Sequence, residues 1–202
     1  MQFSDFPLTY FINPGERLFW GYLLSAAVIA LVVTGWRLRG VYRFNKDYWL
    51  HRSALLDYQY FFVIWFFKVY LIAPLLLSAR EVAIATHRLL RDYITPMFDV
   101  PYETVAITYT VALFVASDFT RYWLHRALHA FDFLWAFHKV HHSAEVLNPL
   151  TFYRIHPVES LLFGLRYALT AGVVTGVFMT LFAAKLSLLQ IFGVNAFIFI
   201  FS

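Results

Sequence analysis

The chain has 202 residues, of which 61% are hydrophobic, 21% are aromatic and only 14% are charged. A soluble domain has about 45–50% apolar and about 25% charged residues, so this composition argues against a soluble domain, a disordered chain and a charge-rich nucleic-acid binder. The net charge of +4 is modest. The absence of Cys excludes disulfides, thiolate nucleophiles and cysteine-ligated metal sites. The composition predicts an integral membrane protein without a nucleic-acid partner.

Apolar runs predict an all-α membrane bundle of about four to five helices. A helix needs about 20 apolar residues to cross about 30 Å of hydrocarbon. The runs that reach or approach this length cover residues 18–36, 58–77, 104–117, 161–181 and 186–201. The third run continues as a helical pattern into a histidine-rich stretch, and the last two form a predicted hairpin. Lys68 lies inside the second run, where its charge is unfavourable unless it faces other helices or snorkels.

Charges between the runs predict the orientation. The loop before the second run has one acid, Asp47, and five basic residues: Arg37, Arg39, Arg43, Lys46 and Arg52. Short basic loops stay in the cytoplasm, whereas the loop at 78–103 is nearly neutral and fits the opposite side. The histidine-rich stretch then lies on the cytoplasmic face of a bacterial inner membrane or an endoplasmic reticulum.

Five of the eight histidines fall within 18 residues: His125, His129, His138, His141 and His142. Residues spaced i, i+3 and i, i+4 share one helix face, so each group can direct its imidazoles to one point, as metal ligation requires. Imidazole suits Zn, Cu, Fe and Ni, and five imidazoles exceed what one tetrahedral zinc uses. The pattern therefore predicts two metals or one of higher coordination. A proton relay, a pH sensor or a set of interfacial polar residues are the alternatives.

Four further polar residues have surroundings that predict a role for each: Asp118, His156, His51 and His87. Asp118 lies at the inner end of an apolar helix, where bonding the far nitrogen of a ligating His would give its carboxylate a partner. His156 precedes Pro157, which can open a helix, and it is predicted as a ligand or a group supporting one. His51 and His87 each adjoin an arginine in a predicted loop, and both are predicted to be solvated interface residues.

Taken together, the segments 118–129, 134–143 and 154–159 closely resemble the fatty acid hydroxylase/sterol desaturase superfamily of membrane-embedded di-iron oxygenases. The resemblance covers roughly residues 104–202. It divides a single membrane domain, residues 1–202, into N-terminal helices and loops at 17–103 and a partial fatty acid hydroxylase-like region at 104–202.

The resemblance implies roles for the histidines. His125 and His129 match the family's H-x3-H box, while His138, His141 and His142 match an H-x2-H-H box. His156 matches a recurrent His-Pro-x-Glu element. These six are the metal ligands that the resemblance implies. A third box is expected after the last hairpin, and the printed sequence stops before it, which indicates a truncated or an inactive chain.

The implied function is O2-dependent hydroxylation or desaturation of a lipid C–H bond, of sterol or fatty-acyl type. Two iron ions would be the cofactor, with Asp118 as a catalytic residue. Electrons would come from a cytoplasmic b-type cytochrome, or from a ferredoxin with its reductase. Lys139, Arg154 and the basic loop around Arg43 are the predicted docking residues for that donor.

Two other functions stay open. In a zinc-dependent membrane hydrolase of the H-E-x-x-H type, a Glu general base follows the first His, whereas this chain has Arg126 there. Glu145 and Glu159 are the nearby acids that could substitute. The third possibility is a catalytically inactive membrane partner protein that lacks the third histidine box.

Overall fold

The computed structural model describes residues 8–37, 46–72, 78–95 and 100–182, which form helices and connecting turns with no strand among them. The all-α prediction is therefore confirmed. The α-helices are α1 (Thr9–Ile12), α2 (Trp20–Arg37), α3 (Lys46–Trp49), α4 (Arg52–Phe67), α5 (Ala79–Leu90), α6 (Tyr102–Ala130), α7 (Asp132–His138) and α8 (Pro157–Leu181). A π-helical turn, Lys68–Ile72, follows α4, and 3-10 turns lie at His141–Ser143 and Thr151–Tyr153.

Two stretches of the described residues are long and apolar enough to cross a membrane: Arg52–Leu71 and Pro157–Leu181. A shorter apolar stretch is Trp20–Val33. The predicted run at 104–117 is part of α6, where threonines at positions 104, 108 and 110 interrupt the apolar residues. The run at 186–201 and much of the basic loop lie outside the described residues. The apolar helices support membrane association.

Local signals at the N-terminus determine where α8 and α4 begin. α8 begins at Pro157, as the position of that proline predicts. α4 begins six residues before the predicted run, because the side chain of His51 caps it: the Ser53 amide donates to His51 Nδ1 over 3.2 Å. Polar residues of the first turn thus belong to the helix, although they interrupt the apolar pattern.

The region predicted as a near-neutral loop at 78–103 instead contains α5. Ser78 Oγ accepts from the Glu81 amide at 3.2 Å, and Glu81 Oε2 accepts from the Ser78 amide at 2.9 Å. This reciprocal capping box satisfies two backbone donors at the helix start. The Ser-x-x-Glu spacing signals a helix N-terminus, so the prediction of a loop over the whole of 78–103 was wrong.

The chain forms two compact units. The first takes its described residues from Met1–Pro74 and Trp135–Pro157. Its core is aromatic: the Phe61 ring contacts Tyr10 and Tyr153 edge to face, with centroids 5.6 and 5.2 Å away. The ammonium of Lys68 lies 5.5 Å from the Tyr153 ring centroid, so this charge faces protein. Burial raises the pKa of Tyr153, which therefore stays neutral at physiological pH.

The second unit takes its described residues from Leu75–Leu134 and Val158–Ser202. Its core contains Val105, Tyr109, Leu113 and Ala171. Tyr109 and Thr175 share a hydrogen bond of 2.8 Å between their hydroxyls. These contacts pack the N-terminal half of α6 against α8.

The α5–α8 contact depends on two glycines four residues apart. A Cβ on Gly172 would lie 2.4 Å from Val82 Cβ, and one on Gly176 would lie 2.6 Å from the Ala83 carbonyl oxygen. Small residues at this spacing let helix backbones approach closely, a common arrangement in membranes. The side chains of Val82 and Thr86 on α5 therefore pack directly against the α8 backbone at these glycines.

Candidate metal centre

The first histidine pair lies in the last two turns of α6, within the second unit. Leu128 is fully buried and fixes the rotation of this end of the helix, while His125 and His129 lie on its exposed side. Their Nε2 atoms are 3.1 Å apart. α6 ends where Phe131 takes an extended conformation, with φ −109° and ψ 121°. The i, i+4 spacing thus brings the two imidazoles together as predicted.

The second pair lies in the first unit, at the end of α7 and in the 3-10 turn after it. His138 is 1% exposed, and its Nε2 lies 3.1 Å from Nε2 of His142. The Trp135 ring contacts that of His142, with centroids 5.5 Å apart. Burial and aromatic packing therefore restrict both rings.

The Nε2–Nε2 separation within each pair suits metal ligation. Two imidazoles bound to one ion at about 2.1 Å and at right angles have nitrogens about 3.0 Å apart. A hydrogen bond between two neutral imidazoles has a similar length, and it requires one ring to donate and the other to accept. His125, His129, His138 and His142 are the residues whose geometry supports a metal-binding role.

The two remaining predicted ligands have different surroundings. His141 is half-buried and stacks on His138, with ring centroids 5.9 Å apart. Its Nδ1 is buried and has no hydrogen-bond partner in the described part of the chain. His156 is half-buried beside the Phe137 ring, 4.8 Å between centroids. Their ligand roles stay predictions.

Asp118 lies on the exposed side of α6, seven residues before His125. Seven residues correspond to a rise of about 10.5 Å, which is too far for a direct bond between this carboxylate and that imidazole. The predicted catalytic role of Asp118 therefore stays a prediction.

His51 and His87 differ from their prediction as solvated interface residues. His51 caps α4, and its Nε2 lies 3.9 Å from a carboxylate oxygen of Glu145. His87 lies in α5, where its Nδ1 is 3.0 Å from the hydroxyl of the buried Thr180 on α8. Each histidine supports the fold, because it contacts a neighbouring segment.

The predicted docking residues have different environments. Lys139 is exposed, and Arg43 lies outside the described residues. Arg154 is 1% exposed, and its Nε lies 2.5 Å from a carboxylate oxygen of Asp57. The docking role predicted for Arg154 is therefore wrong, because a buried and paired guanidinium cannot contact the surface of a partner.

Sequence reasoning also missed Asp57, which is fully buried on α4. The available signal was a single acid between the apolar segments Ala54–Leu56 and Phe61–Phe67. A lone carboxylate in such surroundings indicates a buried partner. The pattern gave no indication of which distant residue this partner would be.

Apolar helices combined with paired histidines are typical of membrane-associated helical proteins that can bind metal ions. A family comparison is more specific: residues 110–201 match the fatty acid hydroxylase family. This region is similar to that family, and the resemblance to the fatty acid hydroxylase/sterol desaturase superfamily noted from the histidine motifs is confirmed.

Three relatives illustrate the similarity. A very-long-chain aldehyde decarbonylase of Oryza sativa is 39% identical over 72 residues, which are 36% of this chain and 26% of the relative. A Dictyostelium discoideum protein provisionally named a methylsterol monooxygenase is 33% identical over 84 residues, 42% of this chain and 28% of the relative. Human alkylglycerol monooxygenase is 36% identical over 52 residues, 26% of this chain and 11% of the relative.

The chain thus spans about a quarter of the length of the first two relatives and less of the third. No solved structure matches it.

Proposed function

We propose that this chain contributes histidine ligands to a membrane oxidoreductase that oxidises a lipid C–H bond. The reaction would be an O2-dependent hydroxylation or desaturation of a sterol or fatty-acyl chain at a non-haem di-iron centre. The observation that carries this proposal is the pair of close imidazole couples, His125–His129 and His138–His142, each with Nε2 atoms 3.1 Å apart. They occur within a fatty acid hydroxylase region.

The donor set fits iron. Neutral imidazoles suit first-row divalent metals such as iron and zinc, and the His141 Nδ1 offers a further buried nitrogen without a partner among the described residues. In this proposal each couple would supply imidazole ligands to iron, with His141 and His156 as further ligands. The chemistry that bound iron supplies is the activation of O2 with electrons from an external donor.

The residues of the chain would hold the metal and restrict water. His138 is buried, and the rings of Trp135 and Phe137 contact His142 and His156. These aromatic contacts would orient the imidazoles and keep water from part of the site. A b-type cytochrome, or a ferredoxin with its reductase, would approach from the cytoplasmic side, where the exposed Lys139 could meet an acidic surface.

Metal analysis of the full chain, purified in detergent and loaded with Fe(II) under anaerobic conditions, tests the proposal. We expect close to two irons per chain, and substantial loss of iron in His129→Ala and His142→Ala. His51→Asn is the matched control, because Asn also caps helices and position 51 lies outside both couples.

Other outcomes would support different functions. One zinc per chain would favour the hydrolase, and no metal under any loading condition would favour an inactive partner protein. Full iron content in both histidine variants would remove these couples from the centre. In an active preparation, Asp118→Asn is expected to lower turnover without lowering iron content. Unchanged turnover would exclude a catalytic role for Asp118.

A further inference from the structure

A buried ion pair joins α4 to the segment that follows the second histidine couple. Asp57 is 0% and Arg154 is 1% exposed, and Arg154 Nε donates to Asp57 Oδ1 over 2.5 Å. Removing two charges from water is costly, and apolar residues of similar size often stabilise a protein equally well. The pair therefore calls for an explanation beyond simple packing.

Both charged groups are saturated with hydrogen bonds. The second carboxylate oxygen of Asp57 accepts from Asn148 Nδ2 and from Thr151 Oγ1, each over 2.7 Å. Arg154 also donates through its terminal nitrogens to the carbonyl and hydroxyl oxygens of both Ser53 and Ser143. A guanidinium has five donors in a fixed fork, so these acceptors determine its orientation.

This network fixes the backbone beside the second couple. The carbonyl of Ser143, which accepts from Arg154 over 3.2 Å, belongs to the residue directly after His142. The Glu145 amide donates to Ser53 Oγ over 3.1 Å, and Asn148 bonds Asp57. Glu145 and Asn148 are thus held against the first two turns of α4, and Ser143 is held to Arg154, which itself bonds Ser53 and Asp57 of that helix.

We propose that Asp57 and Arg154 are positioning residues that hold the His138–His142 couple in the geometry needed to bind metal. They contact neither imidazole, and they act through the Ser143 carbonyl and the segment that ends at Arg154. This inference rests on the metal-binding function proposed above. An apolar replacement could restore packing, but it would lack the directional hydrogen bonds to Ser143, Asn148 and Thr151.

Co(II) titration of the full-length protein in detergent tests this role, because the visible absorption of bound cobalt reports ligand geometry directly. We expect Asp57→Asn and Arg154→Lys to weaken Co(II) binding at least tenfold and to alter the absorption bands, with helical content by circular dichroism unchanged. Glu145→Gln is the matched control: it removes an exposed charge from the same segment and keeps the backbone contact to Ser53.

A double variant, Asp57→Leu with Arg154→Met, separates a positioning role of the pair from its contribution to stability. The same variant tests the inference if the single variants do not fold. We expect the double variant to fold and still bind Co(II) weakly. Wild-type affinity and absorption in the double variant, or in folded Asp57→Asn, would overturn the inference. Failure of the wild-type protein to bind Co(II) or iron would instead overturn the proposed function.

Discussion

The two units of this chain are stabilised by different combinations of contacts. The first buries a charged pair, Asp57 and Arg154, surrounded by polar partners and next to an aromatic core. In the second, α5 and α8 approach through glycines, and single hydroxyl contacts such as Tyr109–Thr175 join α6 to α8. Directional bonds fix where a segment lies, whereas small residues fix how closely helices pack. The second unit also has directional bonds, such as those from Arg166 to Ser117 and Thr120, but the fully buried charged pair lies in the first unit, where the chain around the second histidine couple is more irregular.

The largest loss of stability is expected from breaking the charged pair of the first unit. Arg154→Ala leaves the carboxylate of Asp57 buried without its counter-charge, and breaking a buried pair costs about 3–5 kcal/mol. We expect the free energy of unfolding to fall by about this amount in chemical denaturation of the detergent-solubilised protein.

Arg52→Ala is the control for this variant, because Arg52 is exposed on the same helix as Asp57. Surface changes of this kind usually alter stability by less than about 0.5 kcal/mol. Equal effects of the two variants would show that the buried pair contributes little.

A smaller loss is expected from filling the glycine contact of the second unit. Gly172→Leu forces a side chain toward Val82 Cβ and the Ala79 carbonyl oxygen, which lie 2.4 and 2.8 Å from an added Cβ. Overpacking costs about 1–3 kcal/mol, and the backbone oxygen cannot move without shifting α5. We therefore expect the free energy of unfolding to fall by an amount near the upper end of this range, measured by the same chemical denaturation.

Val173→Leu on the adjacent, exposed face of α8 is the control, since it enlarges a side chain that does not lie against α5. Similar losses from both substitutions would mean that α8 responds to side-chain volume in general and that the glycine contact has no special role.

The smallest loss of stability is expected at the start of α5. Ser78→Ala removes the side-chain acceptor of the capping box, which should lower stability by about 1 kcal/mol. Ser25→Ala is the control, because the Ser25 hydroxyl bonds a carbonyl within its own helix. Hydrogen exchange of the first α5 amides measures the difference, and equal exchange in both variants would argue against a stabilising cap.

The same cap should respond to pH. The backbone and side-chain hydrogen bonds from Ser78 lower the pKa of Glu81 below its ordinary value of 4.5. Because the folded-state pKa is lowered, the stabilisation is present above pH 4.5 and is lost as pH falls through the lowered value. The protection factors of the first α5 amides, which correct for the intrinsic pH dependence of exchange, should therefore fall in acid, and Glu81→Gln should remove this fall.

Local signals in the sequence predicted the four longest helices, α2, α4, α6 and α8, and both histidine couples. His125 and His129, like His138 and His142, are spaced i, i+4. Residues at this spacing are neighbours one helical turn apart, so no contact with a distant residue is needed to bring each couple together. Pro157 likewise marks the start of α8 through the preferences of a single residue.

The parts that were not predicted depend on contacts between distant residues. Asp57 and Arg154 are 97 positions apart, and neither composition nor periodicity indicates that they meet. His87 and Thr180 are 93 positions apart, and their contact converts a predicted surface histidine into a link between α5 and α8. α5 itself was missed for another reason, since the segment was treated as a loop between apolar runs and its Ser-x-x-Glu spacing was not considered.

The wide spacing of Asp57 and Arg154 also has a consequence for biosynthesis. At about 5–20 residues per second, the ribosome adds Arg154 roughly 5–20 s after Asp57. During this interval α4 can form while the carboxylate of Asp57 still has no guanidinium to neutralise it. The contact can close only after the segment from Ser143 to Arg154 has emerged, so under the positioning role proposed above the couple at His138 and His142 becomes ordered only after Arg154 has been made.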